Sequence, residues 1–130
     1  MTDTKDHTDL ADRYIAVWNE TDPGRRRALI ARTWAEGARY RDPLLSGDGP
    51  DGIDAMVAAV HDKYPGHAFR RTSDVDAHNG QLRFGWELAP DSGPVLASGV
   101  DFATVADDGR LATVTGFFDY VATAPAPAGQ

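Results

Sequence analysis

The sequence predicts a single α+β domain in which three N-terminal helices pack on a curved antiparallel sheet of about four long strands and one short strand. Two observations predict this class. Apolar residues recur at helical spacing up to about residue 64, and after residue 66 the period changes to two, with regularly spaced turns. A chain of 130 residues suffices for one hydrophobic core. We therefore expect one domain over residues 1–130, ordered from about 6 to 122, with a disordered, low-complexity tail at 123–130.

The predicted helices are defined by apolar stripes and by the residues at their ends. Near the N-terminus, four apolar side chains share one helical face: Leu10, Tyr14, Val17 and Trp18. Asp22 is a suitable N-cap for a second helix, which we expect to run to about Trp34 and to stop by Gly37. A third helix follows Pro50 and ends at Pro65.

Turn signals divide the second half of the chain into four predicted strands. The turns are Asn79-Gly80, Asp91-Ser92-Gly93 and Asp108-Gly109, and the strands lie at about 68–77, 81–90, 95–106 and 110–121. In the second strand, apolar residues from Leu82 to Leu88 alternate with polar or small ones, so the helices must cover one face of the sheet. A short extended segment at 39–42 adds a further strand.

Composition and charge exclude several classes of function. Thirteen Lys and Arg against twenty Asp and Glu give a net charge of −7, so the electrostatic field of the protein repels nucleic acid and anionic membranes. The absence of cysteine excludes disulfides and thiolate metal sites. No segment has the pattern of a signal peptide or a membrane span. We therefore expect a cytoplasmic protein with no nucleic-acid or membrane partner.

Three residues could carry chemistry. Asp42 precedes Pro43, which disfavours helical geometry at position 42 and fixes the direction of the Asp42 side chain. Asp101 lies in the predicted third strand on the same face as Gly99, which either leaves room for a ligand or marks a bend or bulge. Tyr14 brings a hydroxyl into apolar surroundings, where it needs a partner. Taken singly, each aspartate also has a structural explanation as a turn residue or an acceptor for backbone amides.

Together, these segments resemble the ketosteroid isomerases, within the nuclear transport factor 2-like superfamily that includes the SnoaL-like polyketide cyclases. Arg13-Tyr14-Ile15 is similar to the isomerase segment whose tyrosine donates to the substrate oxygen, and Arg41-Asp42-Pro43 is similar to the segment of the general base. Val100-Asp101-Phe102, eight residues before Gly109-Arg110-Leu111, resembles the segment of the protonated aspartic acid that completes the oxyanion hole. Ala77-His78-Asn79-Gly80 resembles the turn between the first two long strands.

The resemblance covers most of residues 8–121 and implies a cone-shaped roll of helices over the sheet. It implies proton transfer beside a carbonyl group without a cofactor, with Asp42 as the base and with Tyr14 and a neutral Asp101 as donors to the developing enolate oxygen. The predicted pocket around them would bind a small hydrophobic carbonyl compound through eight side chains: Trp18, Trp34, Tyr40, Val60, Phe84, Trp86, Val114 and Phe118. In many isomerases further tyrosines support the donor, whereas the corresponding places here hold Trp34 and Val60.

Three alternatives stay open. The pocket could bind a ligand without catalysis, or the chain could be an interaction module that uses the outer sheet face around Arg83 and Glu87, through which members of the superfamily often form homodimers. An epoxide hydrolase or a dehydratase is a further possibility, although an epoxide hydrolase needs an arginine beside two acids, and Arg83 should point away from the pocket.

Other polar groups have structural explanations. His61 and His67 flank the end of the third helix near the pocket mouth and are expected to be exposed. Arg25-Arg26-Arg27 is expected to be a solvated helix face. One alternating set on a strand face has no further ligand, so no metal site is expected there: Asp74, Asp76 and His78.

Overall fold

Three helices pack on one strongly curled sheet, and the computed structural model describes residues 4–122 of the chain. The helices are α1 (Thr4–Asn19), α2 (Pro23–Thr33) and α3 (Gly49–Lys63). The strands are β1 (Trp34–Arg41), β2 (Ser46–Asp48), β3 (His67–Arg71), β4 (Asp76–His78), β5 (Gln81–Pro90), β6 (Ala97–Val105) and β7 (Leu111–Val121). The tail predicted at 123–130 lies outside the described residues. Between residues 4 and 122, no helix combines the length and apolar character needed to cross a membrane.

The sheet has the strand order β2-β1-β7-β6-β5-β3 within the described residues, and β4 also pairs with β5. The predicted meander is confirmed for the long strands, because β5, β6 and β7 pair antiparallel with their neighbours in sequence. However, β1 and β7 run parallel, so the sheet is mixed and not wholly antiparallel as predicted. Short hairpins impose antiparallel pairing, whereas β1 and β7 are far apart in the chain and free of that constraint.

The beginning of α2 follows the prediction, and its end does not. Oδ2 of Asp22 accepts a hydrogen bond of 2.8 Å from the Arg25 amide, as expected for an N-cap. The helix ends at Thr33, and Trp34 is already extended and begins β1, which contains Gly37. The register of β1 on β7 shifts between residues 34 and 39. This irregularity hides the alternation that marks a strand, and the sequence therefore predicted only its second half.

The first predicted long strand, 68–77, is two short strands, β3 and β4, that both pair with β5. Between them, the Thr72 amide donates to the carbonyl of Gly85 at 2.9 Å. The Gly85 amide in turn donates to Oγ of Ser73 at 2.8 Å. Because a serine hydroxyl replaces a backbone acceptor at this point, the ladder is interrupted and a single strand cannot continue.

The core lies between the helices and the concave sheet face. On β5, buried Leu82, Phe84, Trp86 and Leu88 alternate with less buried residues, as predicted. The same alternation on β6 buries Asp101 on the core side. The strand pattern therefore directs one carboxylate toward the helices.

The prediction of a solvated face at residues 25–27 is wrong for Arg26, which is 4% exposed. Its Nε donates to Oδ1 of Asp54 at 2.6 Å, and its Nη1 donates to the carbonyl of Glu20 at 3.1 Å. Burial of the guanidinium is tolerated because both the charge and its N–H groups have partners. The pair connects α2 to α3.

Candidate active site

A cavity of about 320 Å³ lies between α1, α3 and the concave face of the sheet. Its volume is near the lower end of the range of ligand sites, roughly 300–1,000 Å³. Eight of the eleven predicted site residues line it: Tyr14, Trp18, Tyr40, Asp42, Val60, Trp86, Asp101 and Phe118. The structure therefore brings both aspartates and Tyr14 to one cavity with largely apolar walls.

Trp34, Phe84 and Val114 were predicted to line the pocket, but they lie in the core and do not reach the cavity. The reason is the position of Tyr14, whose ring packs against Trp34 and Phe84 with both centroid distances at 5.7 Å. The two aromatic side chains thus support the tyrosine from behind. Trp34 supports Tyr14 by packing alone, and its buried indole nitrogen has no hydrogen-bond partner.

Several apolar residues of the cavity wall were not predicted from the sequence. Leu88 follows Trp86 on the same face of β5, and Phe69 on β3 pairs with Leu88 in the antiparallel ladder. The alternation of each strand could therefore have predicted both residues. Leu44 and Leu45 lie in the loop after β1, where no periodicity marks the side that faces the cavity. Lys63, at the end of α3, also lines the cavity.

Tyr14 and Asp101 form a buried pair. The Tyr14 hydroxyl donates to Oδ2 of Asp101 at 2.6 Å, and the two side chains are 2% and 4% exposed. Burial and, to a smaller extent, the charge of Asp42 raise the pKa of Asp101 to about 7, against the opposing effect of the Tyr14 hydrogen bond and of the Trp86 indole N–H. Burial, followed by the charge of Asp101, also holds the pKa of Tyr14 well above its usual value. Tyr14 therefore stays a proton donor.

Asp42 is held by three hydrogen bonds at the end of β1. Its Oδ1 accepts from the amides of Leu44 and Leu45, both at 2.7 Å, and its Oδ2 accepts from the Tyr40 hydroxyl at 2.6 Å. The predicted alternation places Tyr40 and Asp42 on the same side of the strand, which makes this contact possible. Asp42 is thus both a turn residue and a member of the cavity wall.

Tyr40 is a buried donor. Its ring packs edge-on against Trp18 at 5.5 Å and against Trp34 at 6.5 Å. Burial raises the pKa of Tyr40 far above its usual value, and the charges of Asp101 and Asp42 raise it further. The hydroxyl therefore stays protonated and donates to Asp42. We had predicted Tyr40 only as a substrate contact.

Gly116 of β7 allows the polar groups to approach one another. It stands opposite Asp101 in the β6–β7 ladder. A Cβ placed on Gly116 would lie 2.8 Å from Oδ1 of Asp101, 3.1 Å from the Tyr40 hydroxyl oxygen and 3.2 Å from Cβ of Asp42. A side chain at this position would displace these groups. Gly116 could not be predicted from the sequence because its importance depends on the strand pairing.

Gly99 has a structural reason of its own. The β6–β7 register shifts between Ser98 and Gly99, and a Cβ on Gly99 would lie 1.8 Å from the carbonyl oxygen of Phe117. Of the two explanations considered for this glycine, the structure therefore supports the bulge. Gly99 is not among the residues that line the cavity.

The remaining polar candidates lie outside the cavity. Nε2 of His61 contacts the carbonyl of Trp18 at 2.6 Å and thereby ties α3 to α1. Arg83 pairs with Asp76 at 3.2 Å and is largely exposed, as expected for a residue that points away from the cavity. Within the described part of the chain, no group of three or more His, Cys, Asp or Glu residues is arranged to hold a metal ion.

Neither a protein-family model nor a curated protein matches the chain. Several solved structures match it over most of its length. A presumed isomerase of the SnoaL-like family from Agrobacterium tumefaciens strain C58 is 40% identical, covers 89% of this chain and 99% of its own, and superposes with a TM-score of 0.85. A SnoaL-like protein of unknown function from Burkholderia thailandensis E264 is 12% identical over 92% of this chain and 100% of its own, with a TM-score of 0.72. A presumed polyketide cyclase from Sinorhizobium meliloti is 14% identical over 88% and 99%, with a TM-score of 0.67.

Three helices closed over a curled mixed sheet define this chain as a protein of the nuclear transport factor 2-like fold. The two distant structures support the fold alone. The Agrobacterium protein goes further, since it is 40% identical over nearly its whole length. The chain therefore belongs to the SnoaL-like family.

Proposed function

We propose that this protein catalyses proton transfer beside the carbonyl group of a small hydrophobic compound, as an isomerase or cyclase that needs no cofactor. The observation that carries the proposal is that one apolar cavity holds two aspartates in different surroundings. Asp42 accepts three hydrogen bonds, whereas Asp101 is buried and accepts one from Tyr14. Different surroundings allow two carboxyl groups of one site to serve as base and acid, an arrangement for which ketosteroid isomerase is itself a standard example.

Asp42 is the general base in this proposal. A carboxylate has about four lone-pair positions. Three of these are used, two on Oδ1 and one on Oδ2, so the free position lies on Oδ2. Oδ2 takes a proton from the carbon next to the carbonyl group and later returns it to another carbon. The three hydrogen bonds keep this oxygen in a fixed direction during both steps.

Tyr14 and neutral Asp101 are the electrophilic donors. When the C–H bond breaks, its electron pair moves toward the carbonyl group, and negative charge develops on the oxygen. A substrate oxygen beside Tyr14 and Asp101 accepts hydrogen bonds from both, once the Tyr14 hydroxyl has turned to it from Oδ2 of Asp101. Because the pKa of Asp101 is about 7, its neutral form is available near neutral pH. The apolar walls exclude water and strengthen these interactions.

A binding titration with 2-naphthol tests the donor end of the site, because a phenol oxygen resembles an enolate oxygen. We expect the wild-type protein to bind 2-naphthol and Tyr14→Phe to bind it about tenfold more weakly, as for one lost hydrogen bond. Asp42→Asn should bind it equally or more tightly, since it removes a nearby negative charge. Asp48→Asn is the matched control, because Asp48 is an exposed partner of Arg41. Equal binding by Tyr14→Phe would contradict the assignment of the donors.

A non-catalytic binding protein is the second candidate function. It is supported by the pairing of Tyr14 with Asp101 and of Tyr40 with Asp42, which satisfies these groups within the protein. The two candidates differ in turnover of a β,γ-unsaturated ketosteroid or a polyketide-like ketone. Asp42→Asn abolishes turnover if the site is catalytic, whereas a binding protein has no turnover to lose.

We also propose that the protein forms a homodimer through the outer sheet face. Phe117 is 57% exposed, and it pairs across the ladder with Val100 on the face that points away from the helices. Exposed apolar surface of this kind is typical of contact sites. Light scattering coupled to gel filtration should show a dimer for the wild type and a folded monomer for Phe117→Asp. A monomeric wild type would contradict the proposal.

A further inference from the structure

We propose that Tyr40 links the two carboxyl groups of the cavity: its hydroxyl donates a hydrogen bond to Asp42 and accepts a hydrogen bond from neutral Asp101. Four side chains then form one hydrogen-bonded chain that runs from Tyr14 through Asp101 and Tyr40 to Asp42. Tyr40 is a positioning residue in this arrangement. The use of the chain in catalysis rests on the proposed function, but its existence can be measured without any substrate.

The donor half of the link is a direct contact. The Tyr40 hydroxyl lies 2.6 Å from Oδ2 of Asp42. A tyrosine hydroxyl has one proton, which this bond uses, and two lone pairs that remain as acceptors. Any second polar neighbour of the hydroxyl must therefore be a donor.

The acceptor half follows from an oxygen that has no partner. Oδ2 of Asp101 accepts from Tyr14, while Oδ1 of Asp101 is buried and makes no hydrogen bond. Buried polar atoms without partners are rare and costly. A proton on Oδ1 makes this atom a donor that needs a nearby acceptor. A proton on Oδ1 would thus account both for the neutral form of Asp101 and for the lack of a donor to this oxygen.

Gly116 brings the two groups to the same place. The Tyr40 hydroxyl oxygen and Oδ1 of Asp101 both approach the position that a Cβ of Gly116 would occupy, at 3.1 Å and 2.8 Å. Both oxygens therefore border the same small space beside Gly116. The charge of Asp101 also acts on Tyr40 more strongly than that of Asp42 does, which agrees with this closeness.

Few other groups around Tyr40 could accept a hydrogen bond from neutral Asp101. Phe118 on β7 lines the cavity without a titratable group. The Trp86 indole N–H on β5 acts on the Asp101 carboxylate as a donor, but an indole nitrogen cannot accept a proton from neutral Asp101. Within residues 6–122, the titratable groups that line the cavity on the elements packed around Tyr40 are these: Tyr14 on α1, Asp42 after β1, Lys63 on α3, Tyr64 directly after α3, and Asp101 on β6. Asp42 and Asp101 are the titratable groups whose atoms stand nearest to the Gly116 position together with the Tyr40 hydroxyl.

The chain has a consequence for the reaction. Before substrate binds, the proton of Asp101 is held against Tyr40, and the free lone pair of Asp42 faces the cavity. A carbonyl oxygen that enters accepts the Asp101 proton in a hydrogen bond in place of Tyr40. Tyr40 keeps its own proton throughout, and its bond to Asp42 maintains the direction of the base.

The test is a carbon-13 NMR titration of the aspartate carboxyl groups in wild type and Tyr40→Phe, with Asp42→Asn and Asp101→Asn used for assignment. Without the hydroxyl, neutral Asp101 loses its acceptor and should release its proton at a pH lower by about one unit. Tyr120→Phe, which removes a hydroxyl from a half-exposed tyrosine, should leave the Asp101 midpoint unchanged.

A merely structural role of Tyr40 predicts a different result, in which the Asp101 midpoint stays unchanged or rises. Either outcome would overturn the proposal. If Tyr40→Phe does not fold, 3-fluorotyrosine at position 40 retains the ring and the hydroxyl. Its fluorine-19 signal should follow the protonation of Asp101 near pH 7, and the same label at position 120 should not. A signal at position 40 that ignores this titration would equally contradict the link. Loss of turnover is not used here, so the proposed function and this link can fail separately.

Discussion

The Tyr14 hydroxyl donates a 2.6 Å hydrogen bond to Oδ2 of Asp101, joining a helix to a strand 87 residues further along the chain. Both side chains are buried on the inner side of the fold. The bond fixes the polar end of an otherwise apolar cavity. It also sets the acidity of Asp101, because a donor to the carboxylate favours its ionised form, whereas burial disfavours it.

Replacing Tyr14 by phenylalanine should therefore raise the pKa of Asp101 above its value of about 7. Burial is the largest cause of the shift and acts upward, as does the charge of Asp42, and only the smaller effect of the Trp86 indole still opposes them. If the proposed function holds, turnover should fall by about 10²-fold, as for the loss of one oxyanion donor. Carboxyl NMR measures the first effect and steady-state kinetics the second. An Asp101 titration midpoint that falls in Tyr14→Phe would contradict this account of the pair.

Asp101 should make the wild-type protein less stable as the pH rises. Its pKa is raised from 3.8 to about 7 in the folded state, so the folded chain binds this proton more tightly than the unfolded chain does. The resulting stabilisation is fully present below pH 3.8 and is lost as the pH rises through about 7. Between pH 5 and pH 8 this single group should lower the free energy of unfolding by roughly 3 kcal/mol.

Asp101→Asn cannot ionise and should lack this part of the pH dependence. Urea unfolding at several pH values should therefore show that the variant gains stability relative to wild type as the pH rises from 5 to 8. Asp119→Asn, at an exposed position of β7, is the control and should follow the wild type. Parallel curves for Asp101→Asn and wild type would show that Asp101 is not protonated in the folded state.

Gly116→Ala should disturb the site while it keeps every polar group. The added Cβ would lie 2.8 Å from Oδ1 of Asp101 and 3.1 Å from the Tyr40 oxygen, so these groups must move. We expect a loss of about 1–3 kcal/mol of stability, typical of overpacking, together with weaker 2-naphthol binding. Gly37→Ala, in the same sheet, has no atom within 4 Å of its Cβ and should change neither property. Equal behaviour of the two variants would contradict the role given to Gly116.

Two neighbouring arginines of α2 should differ sharply. Arg26→Ala leaves Asp54 without its buried partner and should cost about 3–5 kcal/mol in chemical unfolding. Arg27 lies 3.6 Å from the same carboxylate, but its side chain is largely exposed. Arg27→Ala should therefore change stability by less than about 1 kcal/mol. Similar losses in both variants would show that the buried pair has no special role in joining α2 to α3.

Periodicity predicted most of the fold. The alternation on β5 and the turn residues predicted the meander. Asn79, Gly80 and Gly109 have positive φ values, as expected of turn residues. The parallel pairing of β1 with β7 could not be predicted, because the register shift in β1 interrupts the alternation of its side chains. For the same reason, the start of this strand at Trp34 was assigned to a helix.

The candidate site was only partly visible in the sequence. Local patterns and the resemblance placed Tyr14, Asp42 and Asp101 on the inner side, and the structure brings all three to the cavity. The contribution of Gly116 depends on which residue stands opposite Asp101, and no local pattern contains that information. The support for Tyr14 likewise comes from rings packed behind it, whereas we had expected those rings to line the pocket.

The central claim is that Asp42 removes a proton from a carbon next to a carbonyl group, and hydrogen–deuterium exchange at that carbon tests it most directly. A β,γ-unsaturated ketosteroid or a smaller apolar ketone is incubated in deuterated buffer with wild type, Asp42→Asn or the control Asp48→Asn, and exchange is followed by proton NMR. The account predicts exchange catalysed by wild type and by Asp48→Asn, with a rate about 10²- to 10⁴-fold lower in Asp42→Asn. Equal exchange rates with wild type and Asp42→Asn would contradict it.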